Sequence, residues 1–184
     1  MNLYGFILFI HILGLISLFG GFALFHRVGA RLRSTDNALQ AHGWVELLAT
    51  TRGMFAGGAW MLLLSGVVLA AMRWRGPFPW MATSIVAVLV VTVLNGVILG
   101  RWLGAMKAAS AAAHASVTSV PPELTRLVRK RGPWILSWAG NGTALGILWL
   151  MTNKPGWLGS IAILIVAAAA GAAMGSAVVR RTTT

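Results

Sequence analysis

A histidine inside an apolar segment, His11, is the residue best placed for chemistry in this chain. It lies seven residues into an apolar run, roughly 10 Å along a helix at 1.5 Å per residue. An imidazole can ligate haem iron, so one interpretation is a site for haem b or another small ligand centred on His11. Met61 is the candidate second ligand, and Ser65 lies at a similar depth. The alternative interpretation is that these polar side chains only join helices to one another.

The other three histidines, His26, His42 and His114, lie at or beyond the ends of apolar runs. Three imidazoles are enough to hold a metal ion. The sequence therefore allows a metal site of these three residues, provided that folding brings them together. The alternative is that they are ordinary histidines at a membrane interface.

Conventional catalysis has little support in this sequence. The only acidic residues, Asp36, Glu46 and Glu123, lie outside the apolar runs, and the chain contains no cysteine. A carboxylate proton relay within the membrane, a carboxylate di-metal site and a cysteine nucleophile are therefore excluded. The hydrolase, metalloprotease and phosphate-loop motifs are also missing from the sequence. We therefore expect a protein that is not an enzyme.

Two asparagines lie at matching depths in later apolar runs. Asn95 and Asn141 are each about 12 Å from the same end of their runs, at 1.5 Å per residue. We therefore expect a hydrogen-bonded clip between them, with Thr92 and Ser137 on the same two faces. Such bonds between membrane helices average about 0.6 kcal/mol. The other interpretation is that these residues line a ligand pocket.

The composition predicts the elements that position these residues. Of the 184 residues, 58% are hydrophobic and 10% are charged, which is typical of an integral membrane protein. A membrane helix needs about 20 apolar residues. We therefore predict an all-α, polytopic membrane helical bundle that forms a single domain over residues 1–184. Its five transmembrane helices cover residues 4–26, 54–72, 80–103, 133–151 and 157–179.

The basic residues predict the orientation of this bundle. Twelve of the fifteen Lys and Arg side chains lie on one side of the five predicted spans, in segments 27–53 and 101–132 and in the C-terminal tail. The positive-inside rule places that side in the cytoplasm. We therefore expect an external N-terminus, a cytoplasmic C-terminus and cytoplasmic loops at 27–53 and 104–132.

A short basic segment in the second of these loops is expected to face lipid. Its cations are Arg126, Arg129, Lys130 and Arg131. Such residues contribute about 1 kcal/mol each near an anionic membrane surface. We expect anionic lipids as partners on the cytoplasmic side, and no nucleic acid.

Small residues repeat along most of the predicted spans and predict close helix packing. On the fifth span the repeat is Ala167, Gly171 and Gly175, and on the third it is Gly96, Gly100 and Gly104. These stripes can pack within the bundle, or one of them can dock a partner protein or a second copy of the chain. The second possibility favours an accessory or packing subunit of a membrane complex.

Three short motifs resemble one bacterial family of membrane proteins. They are Phe9–Gly14 followed by Gly20-Gly21, MLLLSG at residues 61–66, and the turn at Leu150–Gly156. They are similar to domain of unknown function 2269, and the resemblance implies a multi-pass protein of the bacterial inner membrane. It implies no activity. Our first functional hypothesis is the accessory subunit, the alternative is a haem or small-ligand protein, and a weaker one is a passive channel or permease.

Overall fold

A computed structural model describes residues 2–73, 78–114 and 119–181. In these ranges the chain is helical, which confirms the predicted all-α class, and its one β feature is an isolated bridge between Asn37 and Ser119. The helices are α1 (Leu3–Arg33), α2 (Ala38–Arg73), α3 (Pro79–His114), α4 (Pro122–Arg129), α5 (Arg131–Asn153) and α6 (Trp157–Arg181).

Four of these helices are long and apolar enough to cross a membrane. The segments are Leu3–Arg33, Ala38–Arg73, Pro79–Ala111 and Trp157–Arg180. Their outer faces carry large apolar side chains, such as Ile16, Leu64 and Val93, that are more than 60% exposed. Such faces suit hydrocarbon rather than water, so the chain is a multi-pass membrane protein.

The segment predicted as the fourth span forms α5, a helix of 23 residues. It is not among the four membrane candidates. Its sequence contains Asn141, Ser137 and several glycines, which lower the mean hydropathy of a helix that is otherwise long enough to cross. A crossing by α5 therefore stays a prediction.

Helices α1 and α2 extend well beyond the apolar runs that predicted them. Helix α1 continues to Arg33, and α2 begins at Ala38, so only a four-residue turn separates them in the predicted loop 27–53. The hydroxyls of Ser34 and Thr35 donate to the carbonyl of Arg31, and the Asn37 side chain accepts from the backbone of Gln40. Polar side chains thus satisfy the backbone at both helix ends.

Neighbouring helices pack closely where glycines face each other. Gly14 of α1 lies against the backbone of α2 at Gly58, and Gly142 of α5 lies against the backbone of α6 at Ala167 and Gly171. Helix α3 lies between these two pairs and contacts α2, α5 and α6. The small residues of the fifth predicted span are therefore used within the bundle, with Gly171 and Gly175 both packed on Trp138.

The main core lies at the end of the bundle that carries α4, which we call the inner end; the opposite end is the outer end. Phe25, Trp102 and Trp134 form the aromatic centre of this core, with ring centroids 4.8 to 6.4 Å apart. Helix α4 covers it with Leu124 and Val128. Two indoles fix this helix, because Trp102 Nε1 donates to Leu127 O at 2.9 Å and Trp134 Nε1 donates to Val128 O at 2.8 Å.

Candidate functional site

His11 is held by the second helix through a short chain of hydrogen bonds. Its Nδ1 lies 3.0 Å from Ser65 Oγ, and the Ser65 hydroxyl donates to the Met61 carbonyl. A serine hydroxyl has one hydrogen, so the proton shared with His11 belongs to Nδ1. The neutral imidazole then keeps a lone pair on Nε2, and this lone pair can accept a hydrogen bond or bind a metal.

A glycine lets the imidazole approach α2. A Cβ at Gly66 would lie 3.2 Å from His11 Cε1. The ring is therefore held by Ser65 and packed on Gly66, two adjacent residues of α2. An imidazole oriented in this way through Nδ1 is typical of histidines that bind a metal through the other nitrogen.

The His11 ring lines a cavity of about 370 Å³ in the outer half of the bundle, which we call the outer cavity. Helices α1, α2, α3 and α5 all contribute to its wall. The wall is largely apolar, and its hydroxyl, imidazole and ammonium groups come from Tyr4, His11, Ser84 and Lys154. A mostly apolar pocket of this size with a few polar groups is the usual form of a small-molecule site.

The structure brings together two of the three residues predicted for a cofactor site. His11 and Ser65 are in contact, whereas Met61 is not part of the cavity wall and its Cβ faces Gly14. The geometry therefore does not support Met61 as a second haem ligand. Its contribution is the carbonyl that fixes Ser65.

Sequence reasoning missed Tyr4, Ser84 and Lys154. Ser84 is 1% exposed, and its hydroxyl donates to the Trp80 carbonyl at 2.6 Å. A serine inside an apolar run was a signal that could have identified it. Lys154 has a left-handed backbone, with φ 51°, and ends α5. It reaches the outer cavity because the chain turns there, which hydropathy does not indicate.

The predicted hydrogen bond between Asn95 and Asn141 is wrong. The Oδ1 atoms of both residues are buried and accept no hydrogen bond. Asn95 does face α5, but it lies against Gly140, where its Nδ2 is 2.8 Å from the position that a Cβ would occupy. Ser137 is fully buried and its hydroxyl likewise has no partner. Asn141 is the residue after Gly140, and one residue along a helix is a rotation of 100°. This rotation separates the Asn141 carboxamide from that of Asn95.

Thr92 and Asn95 line a second, smaller cavity of about 140 Å³, which we call the inner cavity. It lies between α1, α2 and α3. Arg52 is its charged lining residue, and the guanidinium Nη2 is 3.0 Å from the position of a Cβ on Gly100. Thr92 and Asn95 of the predicted clip therefore border a space between helices as well as the contact with α5.

The three histidines proposed for a metal site do not form one within the described part of the chain. Across those residues no group of three or more His, Cys, Asp or Glu side chains could hold a metal ion. His26 stacks on Trp138 with ring centroids 4.1 Å apart, and His42 Nδ1 lies 3.3 Å from Ser110 Oγ. The side chain of His114 lies outside the described residues.

The basic segment predicted to face lipid forms the exposed side of α4 and the start of α5. All four of its cations are exposed: Arg126, Arg129, Lys130 and Arg131. Leu124 and Val128 on the opposite side of α4 are buried. An amphipathic helix of this kind, with one basic face, is typical of a membrane surface.

Comparison with known proteins gives one match. The model of a family described as "Predicted integral membrane protein (DUF2269)" matches residues 6–155, from α1 to the turn after α5. No curated protein and no solved structure matches the chain.

Proposed function

The chain belongs to the DUF2269 family of predicted integral membrane proteins, and we propose that it binds a small, largely apolar molecule or cofactor in the outer cavity. One observation carries this proposal. The His11 ring is fixed by Ser65 at the wall of a 370 Å³ cavity, in the tautomer that leaves Nε2 as an acceptor. A ligand with an apolar body and one hydrogen-bond donor or metal centre fits this chemistry.

The arrangement of His11 supports ligand binding over simple helix packing. A clip between two helices needs one donor and one acceptor, and Nδ1 with Ser65 already supplies both. The cavity beside it remains open between four helices. A packing role would not require this space, because close packing is how membrane helices gain stability.

Haem b is the cofactor that we would test first. The imidazole at position 11 would hold the iron through Nε2, as metal-binding histidines commonly do. Met61 lies outside the cavity wall, so His11 would be the protein ligand of the iron. Any other apolar molecule with a hydrogen-bond donor would use the same nitrogen.

The test compares purified wild-type protein with His11→Leu and with His42→Leu, a control at the inner end. Absorption spectra are recorded before and after addition of haem b, and solvent extracts of each sample are compared by mass spectrometry. We expect a Soret band or a co-purifying molecule in the wild-type and control proteins and its loss in His11→Leu. Identical extracts from all three, with no Soret band after haem addition, would contradict the proposal.

We also infer that α5 crosses the membrane, which gives five spans. Its 23 residues extend about 35 Å at 1.5 Å per residue, enough for a hydrocarbon core of about 30 Å. Its position between α3 and α6 supports the crossing, since both neighbours are apolar enough to span. With the positive-inside rule this gives an external N-terminus and a cytoplasmic C-terminus. The resemblance to the family favours a location in the bacterial inner membrane.

Cysteine labelling tests this topology cleanly, because the chain has no cysteine of its own. We expect a membrane-impermeant maleimide to label Asn153→Cys from outside intact cells and Thr35→Cys only after lysis. Labelling of both positions from the same side would contradict five spans. Loss of bound phosphatidylglycerol in native mass spectra when Arg126, Arg129, Lys130 and Arg131 are all changed to Gln would support anionic lipid as the partner.

An accessory role in a membrane complex is our second interpretation. The stripe on α6 that suggested it is occupied by α5. Gly53 and Gly57 of α2 have open space beside them and are the positions where a partner helix or a second copy would fit. A Gly57→Leu variant that no longer associates in native gels would support this role.

A further inference from the structure

The outer and inner cavities meet at one side chain, Leu18 of α1, which lines both of them. Beyond it, α3 contributes Val88 to the outer cavity and Val91 and Thr92 to the inner one, so consecutive turns of this helix pass from one space to the other. The two cavities therefore follow one another along α1 and α3, with the Leu18 side chain bordering both.

The helix segments that carry the lining residues are about as long as a bilayer is thick. On α1 the lining residues run from Tyr4 to Phe25, and on α3 from Trp80 to Leu103. At 1.5 Å per residue these are distances of about 32 and 35 Å, compared with about 30 Å for the hydrocarbon core. The lining residues of the two cavities together therefore cover a length of helix comparable to the hydrocarbon thickness.

The lining also has a consistent chemistry. Each half contains one cation, Lys154 in the outer cavity and Arg52 in the inner one, and no acidic side chain lines either half in the described residues. Neutral polar groups lie between these cations, notably His11, Ser84 and Asn95. This lining offers a permeating cation no counter-charge, and an ion crossing the Leu18 constriction would lose its hydration.

We propose that the two cavities form a path for small neutral hydroxyl-bearing solutes across the membrane, with Leu18 as its constriction. Hydroxyl groups can donate to the acceptor nitrogen of His11 in one half and exchange hydrogen bonds with Thr92 and Asn95 in the other. The path uses the outer cavity of the proposed function, but it does not require a ligand bound there.

The position of Leu18 makes the constriction a well-defined target for substitution. Its backbone is fixed against α2, because a Cβ at Gly58 would lie 2.9 Å from the Leu18 nitrogen. The main chain therefore stays in place when the side chain is shortened. Removing the isobutyl group opens the space between the two cavities rather than moving α1.

Glycerol flux into proteoliposomes tests the path, measured by stopped-flow light scattering. We expect Leu18→Ala to raise glycerol permeability about tenfold over wild type, a change of about 1.4 kcal/mol in the barrier. Leu18→Val, a milder change, should give a smaller rise, and Leu18→Trp should reduce the rate to that of protein-free liposomes. The matched control is Leu13→Ala on the same helix, whose side chain is 40% exposed on the lipid face and should leave the rate unchanged.

Two results would overturn the path. One is a glycerol permeability equal to that of protein-free liposomes for folded Leu18→Ala, Leu18→Val and wild-type proteins. The other is a potassium leak through Leu18→Ala as large as its glycerol flux, since the lining predicts neutral solutes. Retained His11-dependent ligand binding alongside either result would leave the proposed function intact, so the two proposals fail separately.

Discussion

The six-membered ring of Trp134 lies directly against Gly29, in the space where a side chain at position 29 would project. Trp134 is 1% exposed, and its indole is held by the carbonyl of Val128. The guanidinium of Arg33, one turn further along α1, lies 4.5 Å from the centre of the same indole. This contact joins α1, α4 and α5 at the inner end.

The Gly29–Trp134 contact predicts that Gly29→Ala destabilises the bundle. The added methyl group overlaps a ring that cannot move without losing its hydrogen bond, and overpacking of this kind costs about 1–3 kcal/mol. The measurement is the thermal unfolding midpoint in detergent. Gly43→Ala is the control, because nothing lies within 4 Å of a Cβ there, and it should leave the midpoint unchanged or raise it slightly. Equal midpoints for both variants would contradict the packing.

A second prediction concerns the contact between α5 and α6. A Cβ at Gly171 would overlap the carbonyl of Trp138, so Gly171→Ala must push these helices apart and should cost about 1–3 kcal/mol. Gly104→Ala, with open space at its Cβ, is the matched control. Both proteins are compared by thermal unfolding, and a stable Gly171→Ala protein would mean that α6 packs elsewhere.

A third prediction tests the attachment of α4. Trp102→Phe keeps the aromatic packing but removes the donor to Leu127 O, at a cost of about 1 kcal/mol. We expect α4 to open more often and trypsin to cleave faster at its basic residues. Trp149→Phe, at an exposed position, is the control. Cleavage rates that match the wild type in both variants would show that this indole does not fix α4.

The fourth prediction is that Asn95→Leu stabilises the protein. The Asn95 carboxamide oxygen is buried without a partner, and an apolar side chain of similar size removes that penalty of about 1–3 kcal/mol. We expect a higher unfolding midpoint. A lower midpoint would indicate that the carboxamide has a hydrogen-bond partner in the membrane.

The sequence predicted the apolar helices better than it predicted where they end. Hydropathy falls where a helix leaves the hydrocarbon, not where its hydrogen bonding stops, so α1 continues from His26 to Arg33 with polar side chains in the interface. The break at residues 34–37 depends on side-chain hydrogen bonds of Ser34, Thr35 and Asn37. These contacts join residues close together in the chain, but the sequence analysis assigned residues 27–53 to one loop and therefore did not predict them.

The candidate site was predictable in part. His11 and Ser65 stand out because each is polar within an apolar run, and they do meet. Ser84 and Lys154 come from α3 and the end of α5, so their place in the outer cavity depends on how four helices are arranged. The asparagine clip failed for a similar reason, since depth along the membrane predicts the level of a residue but not the rotation of its helix.

The close pairing of α1 with α2, and of α5 with α6, has a consequence for biogenesis. Each pair is consecutive in the chain, is joined by a short turn, and is packed through glycines that need no third helix. During translation each hairpin can therefore assemble as soon as its second helix leaves the translocon. Helix α3 leaves the translocon between the two hairpins, so the inner cavity can form once α3 packs on α1 and α2, and the outer cavity only once α5 has joined them.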